Sequence, residues 1–592
     1  MLKKLETLFD NKIWNKTVDI LFPLILVVFS LMHINEGITV TDTGYNYGNF
    51  VNFATLDDMW KFSTYLSCSV GALFANLPFG NTMLGLNFYT CLLKTFATLF
   101  AYYFCTKICK MPKHVVFLGE MIALGLCWCP TALIYNYLTY LLFLLGAMLL
   151  YLGLIKEKKL FFILAGVFLS LNVFVRLPNV AECALIVVVW ITGILYKQKF
   201  RKIVLDTMFC LLGYVIGLLS VFMYIVCRYG FKRYVEGIKA LFAMTSEAES
   251  YTVKSMIMDM IRVYLQYFKW FFMIFCVLLL GVALFLVCKE KYLKIKSCIF
   301  AFISVFTYVV LLKKEMFNFN YREYFSMFAF GVLLLMLCLI IGAITVFFTK
   351  REKEEKVLAL IVCVVILITP LGSNNNLYSP INNLFIVAPF FINYIWHLIS
   401  ERKSSIIIGK LSVNLIPYQM VLVAFAGMLF MQSVLFGANF VFRDGDGGEK
   451  REFEVENNKV LIGMKTTEEN AENLQELNDY INKNALKGEK VILFGNVPAV
   501  SFYFELKPAL SSTWPDLASF SYAKFERELK ALSEEGERPL VLVSANPSDV
   551  GEDENAEDSL KNKWECLSGF LEENRYEQVF KSDAFILYSQ AF

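Results

Sequence analysis

Apolar blocks of roughly 20 residues recur along the chain, and an α-helix needs about that length to cross the hydrocarbon core of a membrane. Hydrophobic residues make up 57% of the sequence and charged residues 18%, whereas about a quarter of the residues of a soluble domain are charged. The pattern predicts a polytopic α-helical membrane protein with about thirteen transmembrane helices. The blocks lie at 18–34, 85–106, 114–129, 131–155, 160–177, 180–196, 203–227, 265–288, 296–312, 324–348, 357–371, 381–399 and 413–436.

Clusters of lysine and arginine occupy every second connection between these blocks. Basic loops stay on the cytoplasmic side of a membrane, so the alternation predicts a multi-pass protein of the cell membrane with a cytoplasmic N-terminus. The odd number of spans then makes the C-terminal region extracytoplasmic. The clusters lie at residues 3–16, 107–113, 156–159, 197–202, 289–296, 350–356 and 402–403.

The composition changes near residue 440. We assign 1–440 to the transmembrane domain with its outer loop 35–84, 441–456 to a charged, glycine-rich linker, and 457–592 to an extracytoplasmic α/β domain. Apolar runs followed by helical periodicity predict strands and helices in alternation, and therefore a partly parallel sheet. The predicted strands are 490–496, 539–546 and 584–590, and the predicted helices include 520–532 and 560–574.

The first outer loop contains the stretch TDTGYNYGNF, which begins at Thr41. Asp42 in this stretch is either a solvated loop residue or a carboxylate that takes a proton from an attacking hydroxyl group. Tyr45 and Asn46 follow it, and aromatic and amide groups can hold a sugar by stacking and hydrogen bonding. We therefore expect Asp42 to be catalytic and Tyr45 and Asn46 to bind substrate.

A second part of the same loop, residues 55–66, alternates acids with aromatic residues. This pattern predicts a helix lying in the headgroup plane with its aromatic side towards the lipid. Asp57 and Asp58 either lie on the solvated side of that helix, or serve as a second acid of the active site or as metal ligands.

Arg176 lies at the outer end of an apolar run, where the positive-inside rule gives no reason for a cation. Its side chain either snorkels to the membrane surface or binds a lipid-linked phosphate, for which a guanidinium is well suited. Asn179, three residues later in the same loop, is a second candidate for substrate binding.

Two later outer loops carry further polar groups. Arg322 and Asn320 lie in NFNYREY, where the arginine either pairs with a nearby glutamate or joins an anion-binding rim. Asn374 lies in LGSNNNLYSP, which is either a tight turn or a loop that donates hydrogen bonds to a ligand. We include all three among the predicted substrate-binding residues.

The sequence indicates no metal site. Its three histidines are far apart, and nearly all of its 15 cysteines lie inside apolar blocks without zinc-ligand spacing. We therefore assign no cofactor, although the pattern leaves a divalent cation open. A net charge of +3 that is spread over short clusters gives no indication of a nucleic-acid partner.

The layout of the chain resembles the GT-C superfamily of integral membrane glycosyltransferases, which includes protein mannosyltransferases and aminoarabinose transferases. The resemblance rests on the number of spans, the aspartate in TDTGYNYGNF just after the first span, and the outer C-terminal domain. It implies an inverting transfer of a sugar from a polyprenyl-phosphate donor to a glycan, lipid or protein acceptor on the outer face, with Asp42 as the base. Protein mannosyltransferases have an Asp-Glu pair at this point, whereas Thr43 follows Asp42 here.

Two other functions remain open at this point. A multispan transporter or lipid flippase would show internal repeats and polar breaks near mid-membrane, and we find no repeat. An envelope scaffold would use the outer domain to bind a partner. The absence of an N-x-S/T sequon on the predicted outer side favours a bacterial cell envelope.

Overall fold

The chain is mostly helical and ends in a small β-sheet. A computed structural model describes residues 12–247, 253–287, 291–314, 316, 320–321, 323, 325–371, 375–401, 405–408, 411–442, 444, 449–517, 519–552 and 557–590. The predicted substrate-binding residues Arg322 and Asn374 lie outside the described residues.

The helices of the first 440 residues follow the apolar blocks closely. They are α1 (Lys12–Ser30), α2 (Asp42–Val51), α3 (Asp58–Ser63), α4 (Tyr65–Ala75), α5 (Met83–Tyr103), α6 (Lys113–Gly125), α7 (Ile134–Lys156), α8 (Lys159–Val175), α9 (Val187–Leu195), α10 (Phe200–Tyr229), α11 (Phe231–Glu247), α12 (Val253–Leu286), α13 (Leu293–Lys313), α14 (Phe328–Phe348), α15 (Lys353–Ile368), α16 (Tyr378–Asn382), α17 (Val387–Ser400) and α18 (Ile416–Asn439). A π-helical turn (Phe104–Ile108) extends α5, and a 3₁₀ helix (Leu177–Ile186) leads into α9.

Eight helices in the described part of the chain are long and apolar enough to cross a membrane. Three shorter apolar helices, α4, α8 and α17, accompany them. Each of the thirteen apolar blocks overlaps a helix, but the count of thirteen spans stays a prediction. The eight candidate spans are Met83–Ile108, Ile134–Lys156, Leu177–Leu195, Phe200–Tyr229, Lys254–Leu286, Leu293–Lys313, Phe328–Phe348 and Ile416–Asn439.

The candidate spans differ in how deeply they are buried. In α7, 78% of the most apolar window is buried inside the protein, and in α14 the share is 61%. The corresponding shares are 22% for α10 and 17% for α12. Since a membrane-facing helix keeps its apolar side chains exposed, α7 and α14 form the centre of the helical domain and α10 and α12 form its periphery.

The C-terminal region forms an α/β unit around a five-stranded sheet in the order β4-β3-β5-β7-β6. The pairs β3–β4 and β3–β5 are parallel, and β7 pairs antiparallel with both β5 and β6. The elements are α19 (Glu468–Lys483), β3 (Lys490–Phe494), α20 (Val500–Tyr503), β4 (Lys507–Pro508), α21 (Tyr522–Glu534), β5 (Leu540–Ser544), α22 (Pro547–Val550), α23 (Asp558–Glu573), β6 (Tyr576–Lys581) and β7 (Phe585–Gln590).

Two strand pairings differ from the sequence-based expectation. A hairpin of β1 (Ser405–Ile408) and β2 (Leu411–Asn414) connects α17 to α18, where only a loop was expected. The edge strand β6 was also missed, because its sequence YEQVFK is exposed along most of its length and lacks an apolar run.

The first outer loop is bound tightly to the C-terminal unit. Main-chain pairing joins Glu36 to Lys465 as a parallel bridge, so the loop extends the surface of the domain rather than standing apart from it. Five hydrogen bonds hold this joint: Lys465 N to Asn35 O (2.7 Å), Gly37 N to Lys465 O (2.8 Å), Ala499 N to Val40 O (2.9 Å), Tyr503 Oη to Thr39 O (2.6 Å) and Asn470 Nδ2 to Ile38 O (2.6 Å).

Parts of the 441–456 segment, whose composition predicts a linker, contact the C-terminal unit. Asp444 is buried and accepts a hydrogen bond from the Thr466 hydroxyl at 2.6 Å. Phe453 pairs with Thr466 through the main chain. Burial raises the pKa of the Asp444 carboxyl. These contacts bind Asp444 and Phe453 to the C-terminal unit, and the role of 441–456 as a linker stays a prediction.

Gly44 allows α2 to approach the C-terminal unit. A Cβ atom at this position would lie 2.3 Å from Ala499 Cβ and 2.8 Å from Ala499 Cα. We expect Gly44→Ala to reduce stability by about 1–3 kcal/mol, because the two units must separate to relieve this overlap. Thermal unfolding of the purified protein measures the effect.

Gly48 provides a matched control on the same helix. A Cβ there would lie 3.7 Å from its nearest neighbour, an ordinary contact. Gly48→Ala should leave stability unchanged or raise it by up to about 1 kcal/mol through helix propensity. Equal melting temperatures for the two variants would show that the joint does not depend on this close approach.

Candidate functional site

A polar cavity of about 110 Å³ lies beside the first outer loop, on the face that carries the C-terminal unit. Its wall comes from four segments: the loop after α1, one side of α5, the turn between α6 and α7, and the end of α18. Its polar and charged lining residues are His33, Glu36, Thr39, Thr43, Asn87, Lys94 and Thr131, together with the Tyr137 ring.

Lys94 is the most unusual member of this lining. It lies within the candidate span 83–108, and Met83, Asn87 and Cys91 line the cavity from the same side of that helix at helical spacing. Eleven residues of helix from Met83 to Lys94 correspond to a depth of roughly 16 Å. Within the described part of the chain, the Lys94 ammonium makes no hydrogen bond and no ion pair. A cation in an apolar helix is costly and marks a functional site by default.

His33 and Glu36, which both line the cavity, contact each other through their side chains. The His33 Nδ1 atom lies 3.0 Å from Glu36 Oε2. This hydrogen bond is the main cause that lowers the pKa of the Glu36 carboxyl, which also lies near Arg451 and Lys465. Glu36 therefore stays ionised and holds the His33 ring in place.

Asn87 connects the loop to the wall of the cavity. Its Oδ1 atom accepts hydrogen bonds from the Tyr47 hydroxyl at 2.5 Å and the Thr131 hydroxyl at 2.9 Å. Its Nδ2 atom donates to the Ile34 carbonyl at 2.6 Å. Since Asn87 and Tyr47 are both buried, this network fixes α2 against α5 and sets the shape of the cavity.

Asp42 is the first residue of α2 and is half-buried. A carboxylate at this position is stabilised by the positive end of the helix dipole. Asp42 is not among the residues that line the cavity, although Thr39 and Thr43, on either side of it in sequence, are. Its role as a catalytic base therefore stays a prediction.

Tyr45 and Asn46 serve the packing of α2 in this structure. The Tyr45 ring is buried edge-on between Trp60 and Trp514, with centroid distances of 6.4 and 5.4 Å. Its burial raises the pKa of the phenol to about 12. The Asn46 side chain donates to the Asp42 main-chain carbonyl at 2.8 Å. Neither residue lines the cavity, so their contact with substrate also stays a prediction.

Arg176 and Asn179 belong to a separate polar network where α7, α8 and the 3₁₀ helix meet. The Arg176 guanidinium contacts Asn179 Oδ1 at 3.4 Å and lies over the Tyr135 ring at 5.9 Å. Asn179 is buried and donates to the Thr139 hydroxyl at 2.7 Å. Asn172 Nδ2 donates to Glu182 at 2.5 Å. Neither Arg176 nor Asn179 lines the cavity, so their contact with substrate stays a prediction.

Asn320 is described, and its main-chain carbonyl accepts a hydrogen bond from the Ser326 hydroxyl. Among the described residues, no group of three histidine, cysteine or acidic side chains converges to hold a metal ion.

The two acids of the predicted interfacial helix have structural partners. Asp57 caps α3 by accepting from Met59 N at 3.0 Å, and its second oxygen accepts from Lys524 Nζ at 2.9 Å. Asp58 pairs with Arg233 of α11 at 2.6 Å. The aromatic side of α3 is covered by protein rather than by lipid, since Phe62 packs on the rings of two tyrosines in α10 and α11.

We expect Asp57→Ala to reduce stability by about 1–2 kcal/mol, because it removes both the helix cap and the ion pair. Asp57→Asn keeps a cap acceptor and should cost about half a kcal/mol. Thermal unfolding of both variants, alone and combined with Lys524→Ala, separates the two contributions. Loss of activity in Asp57→Ala at unchanged stability would instead indicate that this acid acts on substrate.

The chain was also compared with known proteins. The sequence matches no protein-family model and no curated protein. Among solved structures, the chain is similar to the archaeal oligosaccharyltransferase AglB from Archaeoglobus fulgidus, determined in complex with an inhibitory peptide and a dolichol-phosphate. The match covers 90% of this chain and 70% of that chain, at 12% identity and a TM-score of 0.36.

At this identity and TM-score, nothing about the reaction of the present chain follows from the likeness.

Lys94 and His33 were missed as site residues. Lys94 is the only charged residue between Met83 and Thr106, and a lone cation inside a span is a signal that the sequence itself carries. His33 and Glu36 offered no comparable signal, because their pairing depends on a turn with positive φ at His33.

Proposed function

We propose that this chain is a membrane glycosyltransferase that takes a sugar from a polyprenyl-phosphate donor and transfers it to an acceptor at the face that carries the C-terminal unit. The observation that carries the proposal is Lys94, a cation with no ion-pair partner among the described residues, in the wall of a polar cavity that opens beside α2. Such a cation suits a donor whose anionic group is attached to a hydrocarbon chain.

The depth of Lys94 favours a lipid donor over a soluble one. A prenyl chain stays in the hydrocarbon region while its phosphate meets the ammonium part-way along α5. The free energy gained by pairing the two charges offsets the cost of keeping Lys94 in an apolar helix. The cavity of about 110 Å³ holds a phosphate-sized group. Typical ligand pockets of about 300–1,000 Å³ are larger, so the sugar extends towards the open side, where α2 begins.

The proposed reaction is a single displacement at the anomeric carbon. The Asp42 carboxylate accepts the proton of the acceptor hydroxyl, the new oxygen–carbon bond forms, and the bond from the anomeric carbon to the phosphate oxygen breaks. Polyprenyl phosphate leaves, and Lys94 stabilises its negative charge. Attack from the opposite side inverts the anomeric configuration. The base acts by general base catalysis and the cation by electrostatic stabilisation.

Incubation of the purified full-length protein with a set of polyprenyl-phosphate hexoses and membrane glycolipid acceptors tests this function. We expect release of polyprenyl phosphate and a new glycoside of inverted configuration. Movement of the intact donor between leaflets without consumption would contradict the proposal and support the transporter alternative.

A further inference from the structure

A second cavity lies beyond the other end of α5, next to the turn that follows this helix. Its volume is about 410 Å³, and its wall comes from the turn 108–112, the α14–α15 connection and α17. These segments join helices at the far end of the bundle from the C-terminal unit. The proposed glycosyl transfer uses none of them.

Within the described residues, only some of the charged side chains that line this cavity form ion pairs. Arg351 is neutralised by ion pairs with Glu401 and, at 3.5 Å, with Glu355. Glu352 and Glu354 are exposed and form no ion pair within the described residues. The remaining lining cation is Lys110, whose side chain is also exposed. The cavity therefore offers two carboxylates without an ion pair from the α14–α15 region and an ammonium from the turn 108–112.

The uncharged lining adds aromatic rings and one buried acceptor. Trp396, Tyr394 and Tyr151 contribute ring surfaces, and aromatic faces attract organic cations. Asn393 is 8% exposed, and its Oδ1 atom has no hydrogen-bond partner within the described residues. A buried carbonyl oxygen without a donor is costly, so a ligand that carries N–H groups suits this wall.

We propose that this cavity binds a group in which a primary ammonium stands a short distance from a phosphate, as in the headgroup of an aminophospholipid. The ammonium lies among Glu354, Glu352 and the aromatic rings, and the phosphate faces Lys110. An anionic headgroup without an amine would meet the two carboxylates, which repel it. The position at the ends of apolar helices places the headgroup at the membrane surface with its acyl chains alongside the bundle.

Binding of short-chain lipids to the full-length protein in detergent tests this site. Dihexanoyl-phosphatidylethanolamine should bind about tenfold more tightly than dihexanoyl-phosphatidylglycerol. Glu354→Gln should weaken binding of the former about tenfold. Glu572→Gln, an exposed acid on α23, is the matched control and should bind as the unchanged protein does.

Free O-phosphoethanolamine distinguishes the source of the ligand. Weaker binding of this compound than of the lipid supports a membrane headgroup, and equal binding supports the same site with a soluble amine. Equal affinity for the two lipids, or an unchanged affinity in Glu354→Gln with an unchanged melting temperature, would overturn the proposal.

Discussion

Asp42→Asn lowers the rate of sugar transfer by about two to four orders of magnitude, the usual contribution of a positioned general base. The amide cannot accept the proton of the acceptor hydroxyl, yet it has nearly the same shape as the carboxylate. Because Asp42 is half-buried at the start of α2, the exchange should leave the fold and donor binding unchanged. Initial rates at saturating donor measure the effect.

A matched control for Asp42 is Asp479→Asn, on α19 of the C-terminal unit, where the side chain only accepts from Gln475 at the surface. This variant should transfer sugar at the normal rate. Full activity in Asp42→Asn would remove Asp42 from the mechanism, whereas a loss that is accompanied by a lower melting temperature would assign it to the packing of α2.

Lys94→Met weakens donor binding by about ten- to a hundredfold, as expected for the loss of a hydrogen bond between two charged groups. Methionine keeps the length and the apolar stem of the side chain, so the packing of α5 should be unchanged or improved. Equilibrium binding of a polyprenyl phosphate to the purified protein measures the change. Lys94→Arg keeps the positive charge and should retain most of the affinity.

Lys156→Met is the control for this prediction, because Lys156 is exposed at the end of α7 and lies outside the cavity. It should bind the donor with normal affinity. Unchanged affinity in Lys94→Met would show that the cation does not meet the phosphate. An equal loss in Lys156→Met would indicate a general effect of surface charge on lipid binding.

The helical part of the fold could be predicted because its signals are local. An apolar block of about 20 residues specifies a helix irrespective of its neighbours, and all thirteen blocks overlap helices of the structure. The strands β3, β5 and β7 were also readable, because each is an apolar run at the centre of the sheet. Edge strand β6 carries no such run, so the sequence did not predict it.

The joint between the first outer loop and the C-terminal unit could not be predicted. Tyr503 bonds to the Thr39 carbonyl across 464 positions of sequence, and no local pattern encodes such a pairing. For the same reason the contact of the Tyr45 ring with Trp514 of the distant domain could not be predicted.

The residues predicted for the site and the residues that line the cavity differ. Thr39 and Thr43 of the first outer loop line the cavity, whereas Asp42 between them does not. The predicted cation, Arg176, contacts Asn179 and does not line this cavity, and its contact with substrate stays a prediction. Lys94 does line the cavity, but it lies in the middle of an apolar block. The sequence analysis therefore treated it only as part of a transmembrane helix.

Electron cryomicroscopy of the full chain in lipid nanodiscs with a bound polyprenyl phosphate tests the central claim most directly. The account predicts phosphate density within hydrogen-bonding distance of Lys94 Nζ, with the prenyl chain running along the outside of the bundle. Phosphate density at Arg176, with Lys94 facing an empty cavity, would contradict it.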